Sequence, residues 1–346
     1  MNDQGGVVAR QTWPGAAQPV QKLEYDGTIG ALYWIFIKNL VLGIITLTIY
    51  RFWGKTNIRR YAWSHTSLQG QRFEYTGRGG ELFVGFLIVA GAYLVFFIAM
   101  TILGFVLGDT FVQITPIFLL VLVGYLIFVA QYAAQNYRLT RTLWSGIRGG
   151  MTGSAWKYGV KAFLFTLLNL VTLNLATPWT TLRLAEDRFN NSYFGNAKAS
   201  LQASAGPLYL SFILGFVFTI LGVALVAAVV GLFGYSVVTA NDLMPVLQEL
   251  GRASEAGVDP DVTKEQMDTL IGLFLICAIV FYLGLALVSI VAFAPYMAAL
   301  FRAIANNLEL AELRFASEVT AWNYISLWIG NVLIVLFTLG LGFPIA

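Results

Sequence analysis

The sequence predicts an all-α integral membrane protein, with four charge-free transmembrane helices and three repeated apolar elements that re-enter or lie in the membrane interface. Three observations carry this reading. The composition is that of a chain dissolved in lipid, four stretches are long enough to cross, and a second kind of apolar stretch recurs with the same letters.

Of the 346 residues, 58% are hydrophobic and only 11% charged, with a mean hydropathy of +0.72. A soluble domain carries roughly 25% charged residues, so the balance excludes an ordinary globular core. Glycine is abundant at 34 residues, as close helix packing in lipid favours. Residues 1–26 are polar and read as a disordered tail. They lack the short apolar run and small-residue site of a signal peptide. Residues 27–346 read as one membrane domain.

The four stretches run near 82–108, 110–137, 207–240 and 269–301. Each can cover the ~30 Å of a bilayer's hydrocarbon at 1.5 Å per residue. Pro116 and Pro295 fall inside two of them, which lipid-embedded helices tolerate. Gly104 and Gly108 form one GxxxG spacing, a minor packing hint.

The recurring stretches are Ile29–Trp53, Ala155–Trp179 and Ala321–Ile345. Ala155 begins AWKYGVKAFLFTLLNLVTLNLATPW and Ala321 begins AWNYISLWIGNVLIVLFTLGLGFPI. Without a gap, their Ala, Trp, Tyr, Thr-Leu, Leu and Pro coincide. Thr46-Leu47 of the first stretch aligns with Thr172-Leu173 and Thr338-Leu339, Trp53 with Trp179, and Asn39 with Asn331. Such matches at Trp and Pro indicate an internal repeat. Each of the first two copies runs on into an arginine-bearing segment. The third stops just after its proline, so the natural protein is expected to continue past Ala346.

Charge distribution decides how the copies sit. As seven alternating spans, they would put the acidic segment 241–268 on the side of the strongly basic 51–80. That segment holds Asp242, Glu249, Glu255, Asp259, Asp261, Glu265 and Asp268 against Arg252 and Lys264. If instead the copies do not cross, all of the 21 lysines and arginines but Arg252 and Lys264 lie on one side, as the positive-inside rule requires. The N-terminus and arginine linkers are then cytoplasmic and 241–268 periplasmic. None of the nine tryptophans falls in the four charge-free stretches, and tryptophan favours the interface. The alternative is seven transmembrane helices, with the copies as inverted spanning repeats.

Chemistry is sparse. Cys277 and His65 are the only residues of their kinds, too few for a disulfide or a Cys/His zinc site. Glu74, Glu81 and His65 form no paired constellation, and no P-loop, GxSxG or HExxH occurs. The reading is therefore no enzyme, no cofactor and no metal. The polar groups at depth are Lys38, Asn39, Asn169 and Asn331, with Thr46, Thr172 and Thr338 at the Thr-Leu steps. They are the candidate pore or polar membrane positions. The candidate contacts to anionic lipid are Arg59, Arg60, Arg72, Arg138, Arg141, Arg188 and Arg302, each worth about 1 kcal/mol near such a surface. The partner expected is the phospholipid bilayer, anionic lipids among its components; nucleic acid is not expected, and self-association is left open. HTSLQGQRFEYTG reads as a short β-hairpin, with Leu68, Phe73 and Tyr75 alternating about Gly70.

The stretch NIRRYAWSHTSLQGQRFEYTGRGGELFVGFLI, Asn57 to Ile88, resembles the YjgN family of bacterial inner-membrane proteins. So does the recurrent N-L-x-L-x-x-x-T-L-x-x-x-x-x-W element. The matching positions are Arg59, Arg60, Tyr61, Thr66, Leu68, Gly70, Arg72, Phe73, Tyr75, Gly77, Glu81, Leu82 and Gly85. The resemblance covers roughly residues 25–346. It implies the cytoplasmic membrane and a multi-pass architecture, and no reaction. In the second copy the arginine pair is reduced to Arg188. Function is left between transport or a channel-like role and a membrane-organising scaffold on anionic lipid.

Overall fold

The computed structural model describes residues 8–13, 16–17, 21–311 and 313–337. Thr338 and the rest of 338–346, where the third copy's Thr-Leu step falls, lie outside them, as do residues 1–7. The chain divides into two compact units.

The first unit is residues 1–206, 300–319 and 329–346. It opens with four short strands, β1 (Val8–Trp13), β2 (Ala16–Ala17), β3 (Gln21–Lys22) and β4 (Glu24–Tyr25). The segment expected as a disordered tail thus contributes strands. The helices α1 (Ile29–Ile45) and α2 (Arg51–Ser64) follow, then strands β5 (Thr66–Leu68) and β6 (Gln71–Tyr75). Two long helices come next, α3 (Gly79–Leu107) and α4 (Asp109–Thr140), then β7 (Thr142–Trp144) and β8 (Ile147–Met151). The unit continues with α5 (Ala155–Val171), α6 (Thr177–Asn190), β9 (Ser192–Phe194) and β10 (Ala197–Leu201).

The second unit is residues 207–299 and 320–328. It holds nearly all of α7 (Gly206–Ala240), α8 (Met244–Ala256) and most of α9 (Lys264–Asn306). Past its end the chain forms β11 (Leu308–Leu310), β12 (Leu313–Ala316) and α10 (Ala321–Phe337).

Among the described residues, four helices are long and apolar enough to cross a membrane: Gly79–Leu107, Thr115–Thr140, Gly206–Ala240 and Lys264–Asn306. Their outward faces are leucine, valine, isoleucine and phenylalanine, with Phe105, Leu120, Leu232 and Phe274 each at least 70% exposed. That is the surface a lipid solvent permits. The Gly104–Gly108 spacing serves a turn. Gly108, at φ 81, ends α3, and its N–H donates to the Gly104 carbonyl at 3.0 Å.

The hairpin expected about Gly70 is present, and three more like it follow. The first three have two-residue loops closed by the pairs Leu68↔Gln71, Trp144↔Ile147 and Phe194↔Ala197, and in the fourth Leu310 pairs with Leu313. Gln69-Gly70 and Ser145-Gly146 both hold positive φ at each position, the geometry that matches strand twist in tight hairpins. The four hairpins join edge to edge in chain order, from β5 to β12, within one sheet. The residue nine places beyond each hairpin's first is buried: Tyr75 at 2%, Met151 at 8%, Leu201 at 0% and Ser317 at 4%. These residues pin the sheet to helices. Tyr75 meets the Trp63 ring of α2 at 5.7 Å. Met151 joins Tyr132 of α4 and Tyr158 of α5 in a common cluster.

In the second unit, α7 and α9 touch where glycines remove side chains. A Cβ on Gly215 would sit 2.8 Å from the Ala292 carbonyl oxygen, and one on Gly284 2.8 Å from a Val226 methyl. Phe212 packs edge-on against Tyr296 at 5.1 Å. Val238, Leu243 and Val246 form a small core where α7 gives way to α8.

Candidate functional site

Most of the polar residues singled out inside the recurring stretches belong to two helical hairpins, α1–α2 and α5–α6. The first helix has 17 residues in each case, a length of about 25 Å. Five residues then reverse the chain. Thr46 and Thr172 organise the reversal in the same way. The Thr46 hydroxyl donates to the Leu42 carbonyl at 2.6 Å and accepts the Tyr50 N–H at 2.9 Å. The Thr172 hydroxyl donates to Leu168 at 2.8 Å and accepts the Ala176 N–H at 3.3 Å. The two residues that follow each threonine are left-handed, Leu47 and Thr48 at φ 49 and 70, Leu173 and Asn174 at φ 50 and 67. None is glycine. For an L-residue this conformation costs roughly 1–2 kcal/mol, less for asparagine, and such strain gathers at functional positions.

Below each turn an asparagine crosses from the first helix to the second. Asn39 Nδ2 donates to the Gly54 carbonyl at 3.3 Å. Its Oδ1 is buried with no hydrogen-bond partner. Asn169 Nδ2 donates to Thr180 Oγ1 at 3.1 Å, and Thr180 Oγ1 lies 3.2 Å from Asn169 Oδ1. Gly54 and Thr180 stand eight residues beyond Thr46 and Thr172 respectively. A buried polar group without a partner is expensive, so the Asn39 carbonyl oxygen is the group in this hairpin that lacks satisfaction.

Each hairpin leaves the sheet and returns to it. At the open end of the first, the Tyr61 hydroxyl accepts the Thr28 N–H at 2.7 Å and donates to the Thr28 carbonyl at 3.1 Å. In the second, Lys161 pairs with Asp187 at 2.6 Å, and Thr152 N–H donates to the Asn191 carbonyl at 2.7 Å. Lys38 is exposed on α1. Asn331 is half-buried on α10.

The arginines divide into two groups. Arg59 donates to the Tyr75 hydroxyl at 3.2 Å and Arg60 to the Gly77 carbonyl at 3.2 Å. Arg72 pairs with Asp26 and donates to the Ser64 carbonyl at 2.6 Å. Arg141 grips Glu81 through two bonds of 3.1 Å, joining the end of α4 to the start of α3. Arg188 is half-buried, with its Nε sealed from solvent. The first four tie protein to protein, whereas the Arg188 Nε is buried without a hydrogen-bond partner. Arg138 and Arg302 are exposed and make no ion pair with a described residue.

Sequence reasoning missed the asparagines that hold the hairpins to their helices. Asn190 Oδ1 accepts the Leu201 N–H at 2.6 Å, and Asn306 Oδ1 accepts the Ser317 N–H at 2.7 Å. Both reach eleven residues ahead, a spacing that would have aligned the third and fourth hairpins. A cavity of about 570 Å³ opens beside the first of these, lined by Arg183, Glu186, Asn190 and Leu201. Glu186 there is already paired with Arg183 at 2.6 Å. Among the described residues no group of three His, Cys, Asp or Glu could hold a metal ion.

Among the described residues, four helices have the length and apolar composition that would let them cross a membrane, and the protein is otherwise built of short strands and shorter helices. The chain belongs to the family described as "Bacterial protein of unknown function (DUF898)", which matches residues 20–346. It is 24% identical to the inner membrane protein YjgN of Salmonella typhimurium, over 93% of this chain and 84% of that protein. It is 36% identical to the inner membrane protein YjgN of Escherichia coli K12 over 84 residues, 24% of this chain and 21% of that one. The family resemblance drawn from residues 57–88 thus agrees with relatives of that name. No solved structure matches.

Proposed function

We propose that this is a bacterial inner-membrane protein with a transport or channel-like role, in which α1–α2 and α5–α6 are re-entrant hairpins entering from the cytoplasmic side. The observation that carries the reading is the shared turn, with two left-handed non-glycine residues above a crossing asparagine. A helix of about 25 Å that turns back falls short of the ~30 Å hydrocarbon core. Irregular backbone at membrane depth is tolerated where it lines a polar cavity. The third stretch, from Ala321, is the third member of the repeat.

Connectivity supports a four-span topology. α3 and α7 start directly after strands, α4 and α9 end directly before strands, and both hairpins begin and end at the sheet. The sheet and its arginines are then cytoplasmic, and the acidic 241–268 is periplasmic. No step of this architecture calls for an enzyme, a cofactor or a metal.

The deciding experiment is solute flux in proteoliposomes, comparing the natural chain with Asn39→Leu and Asn169→Leu. Flux of any ion or small polar solute that both variants abolish supports the reading. Equal leak in all three samples removes it. The second reading, a scaffold on anionic lipid, has one observation in its favour, the unpaired Arg138 and Arg302. It predicts co-purifying anionic lipid that Arg138→Gln with Arg302→Gln loses, with no flux in any sample.

A further inference from the structure

The sheet of the first unit closes on itself. β3 pairs with β1 through Val8↔Lys22 and Ala9↔Gln21, while β4 pairs with β5 through Glu24↔Ser67 and Tyr25↔Thr66. Only Leu23 separates β3 from β4. One stretch of chain therefore lies beside β1 on one side and beside β5 on the other. At the far end β1 pairs with β12, Val8↔Ala316 through Gln11↔Leu313. Counting β3, Leu23 and β4 as one stave, the ring of described strands has ten: β1, that stretch, and β5 to β12.

The register checks the closure. In-register partners share a face. Starting from Glu24, one face carries Ser67, Arg72 and Glu74, then Leu143 and Arg148, then Tyr193 and Lys198, then Ser200, Glu309 and Arg314. Passing on through β1 to position 22 returns to the face of Glu24. The other face carries Leu68, Phe73, Tyr75, Trp144, Met151, Phe194, Leu201 and Phe315. One face is charged and the other apolar.

Which face points inward follows from size. Ten strands about 4.8 Å apart, tilted as barrel strands are, leave roughly 20 Å between opposite backbones. Side chains reduce that to about 10 Å, the width of a single helix. Yet α2 and α4 both pack on the apolar face, through Trp63 on Tyr75 and through Tyr132 with Met151. They cannot both fit inside. The apolar face is the outer wall and the charged face the inner one. Arg72, Glu74, Arg148, Lys198, Ser200 and Arg314 are all exposed despite this enclosure, as the walls of a water-filled space would be.

We propose that the ring is a hydrated vestibule for small hydrophilic solutes, with the N-terminal segment as the stave that closes it and the arc from β8 to β10 as its anion-attracting side. On that arc Arg148 and Lys198 flank Tyr193 and pair with no carboxylate of a described residue. Elsewhere Arg314 is neutralised by Glu309 at 3.0 Å, and Arg72 by Asp26. The proposal deepens the transport reading and rests on it for the solute. Its test reads a thiol instead of a flux, so the two fail separately.

In a Cys277→Ala background, single cysteines replace Ser67 and Ser200 on the inner face and Ile147, 45% exposed, on the outer. A small methanethiosulfonate should label all three. A polyethylene-glycol maleimide wider than the gap should label the inner two roughly tenfold more slowly than the outer one, as an enclosed lumen requires. At Ser200→Cys an anionic methanethiosulfonate should outpace a cationic one, and Lys198→Glu should reverse the order. Deleting residues 1–22 should let the wide reagent in. Should that variant misfold, a disulfide formed between Glu24→Cys and Ser67→Cys reports the closing stave in the full chain. Equal labelling of inner and outer thiols by the wide reagent would overturn the proposal, as would absence of that disulfide.

Discussion

Asn169 and Thr180 satisfy one another inside α5–α6, whereas the Asn39 carbonyl oxygen is buried without a partner. The two hairpins should therefore respond differently to the same change. Thr180→Val orphans both polar ends of Asn169 and should destabilise the protein by about 1–3 kcal/mol, read as a lower midpoint in detergent unfolding. Asn39→Leu removes a group already half unsatisfied and should cost clearly less. Leu173→Gly relieves a left-handed leucine and should leave stability unchanged or raise it by about 1 kcal/mol. A large loss there would show that the leucine side chain matters more than the backbone strain. The asparagines and threonines were legible in the sequence, because polar letters are conspicuous in an apolar run. Their partners were not, because Gly54 and Thr180 lie on the returning helix, whose position only the turn defines.

Elements differ in how openly the sequence announces them. The four long helices declare themselves by length and lack of charge. The hairpin about Gly70 was visible through its turn residues, yet its three counterparts were not, since strands of three to five residues carry too few alternations to read. The glycines of α7 and α9 act at this scale too. Gly215→Leu would drive a side chain into the Ala292 backbone and should destabilise the α7–α9 pair, while Gly231→Leu, facing open space, should not. Thermal unfolding of the two variants separates them. In α8 a hydrogen bond from Arg252 holds the Glu249 carboxyl below its ordinary value of 4.5. A depressed carboxyl contributes stability above its unfolded pKa and loses it as pH falls through the folded one. Amide protection in α8 should accordingly stay level from neutral pH to about 4.5 and fall below that. Glu249→Gln should flatten the acid limb.

At the scale of the molecule, the charges lead to an expectation of side, with the arginine linkers in the cytoplasm and 241–268 outside. One cysteine at Asn196, an exposed hairpin tip, tests it in a Cys277→Ala background. An impermeant maleimide should label it only after lysis, and a second cysteine at Ser254, in the acidic segment, should label in intact cells. Labelling of both in intact cells would turn the hairpins into spans. What charge could not convey is that segments 300 residues apart build one sheet. The pairing of β1 with β12 leaves no local trace, because each strand alone is a handful of ordinary residues.

That pairing also sets an order of manufacture. β1 leaves the ribosome about 300 residues ahead of its partner β12. Through most of synthesis the growing sheet has two open edges, the kind of surface on which chains stick to one another. The contact that removes them has the greatest sequence separation in the sheet, and such contacts form late. Each new hairpin can dock only on the one before it, so assembly proceeds as a zipper that locks in a single final step. A chain interrupted between the third and fourth hairpins would remain membrane-inserted yet adhesive, and would be a natural target for quality-control proteolysis.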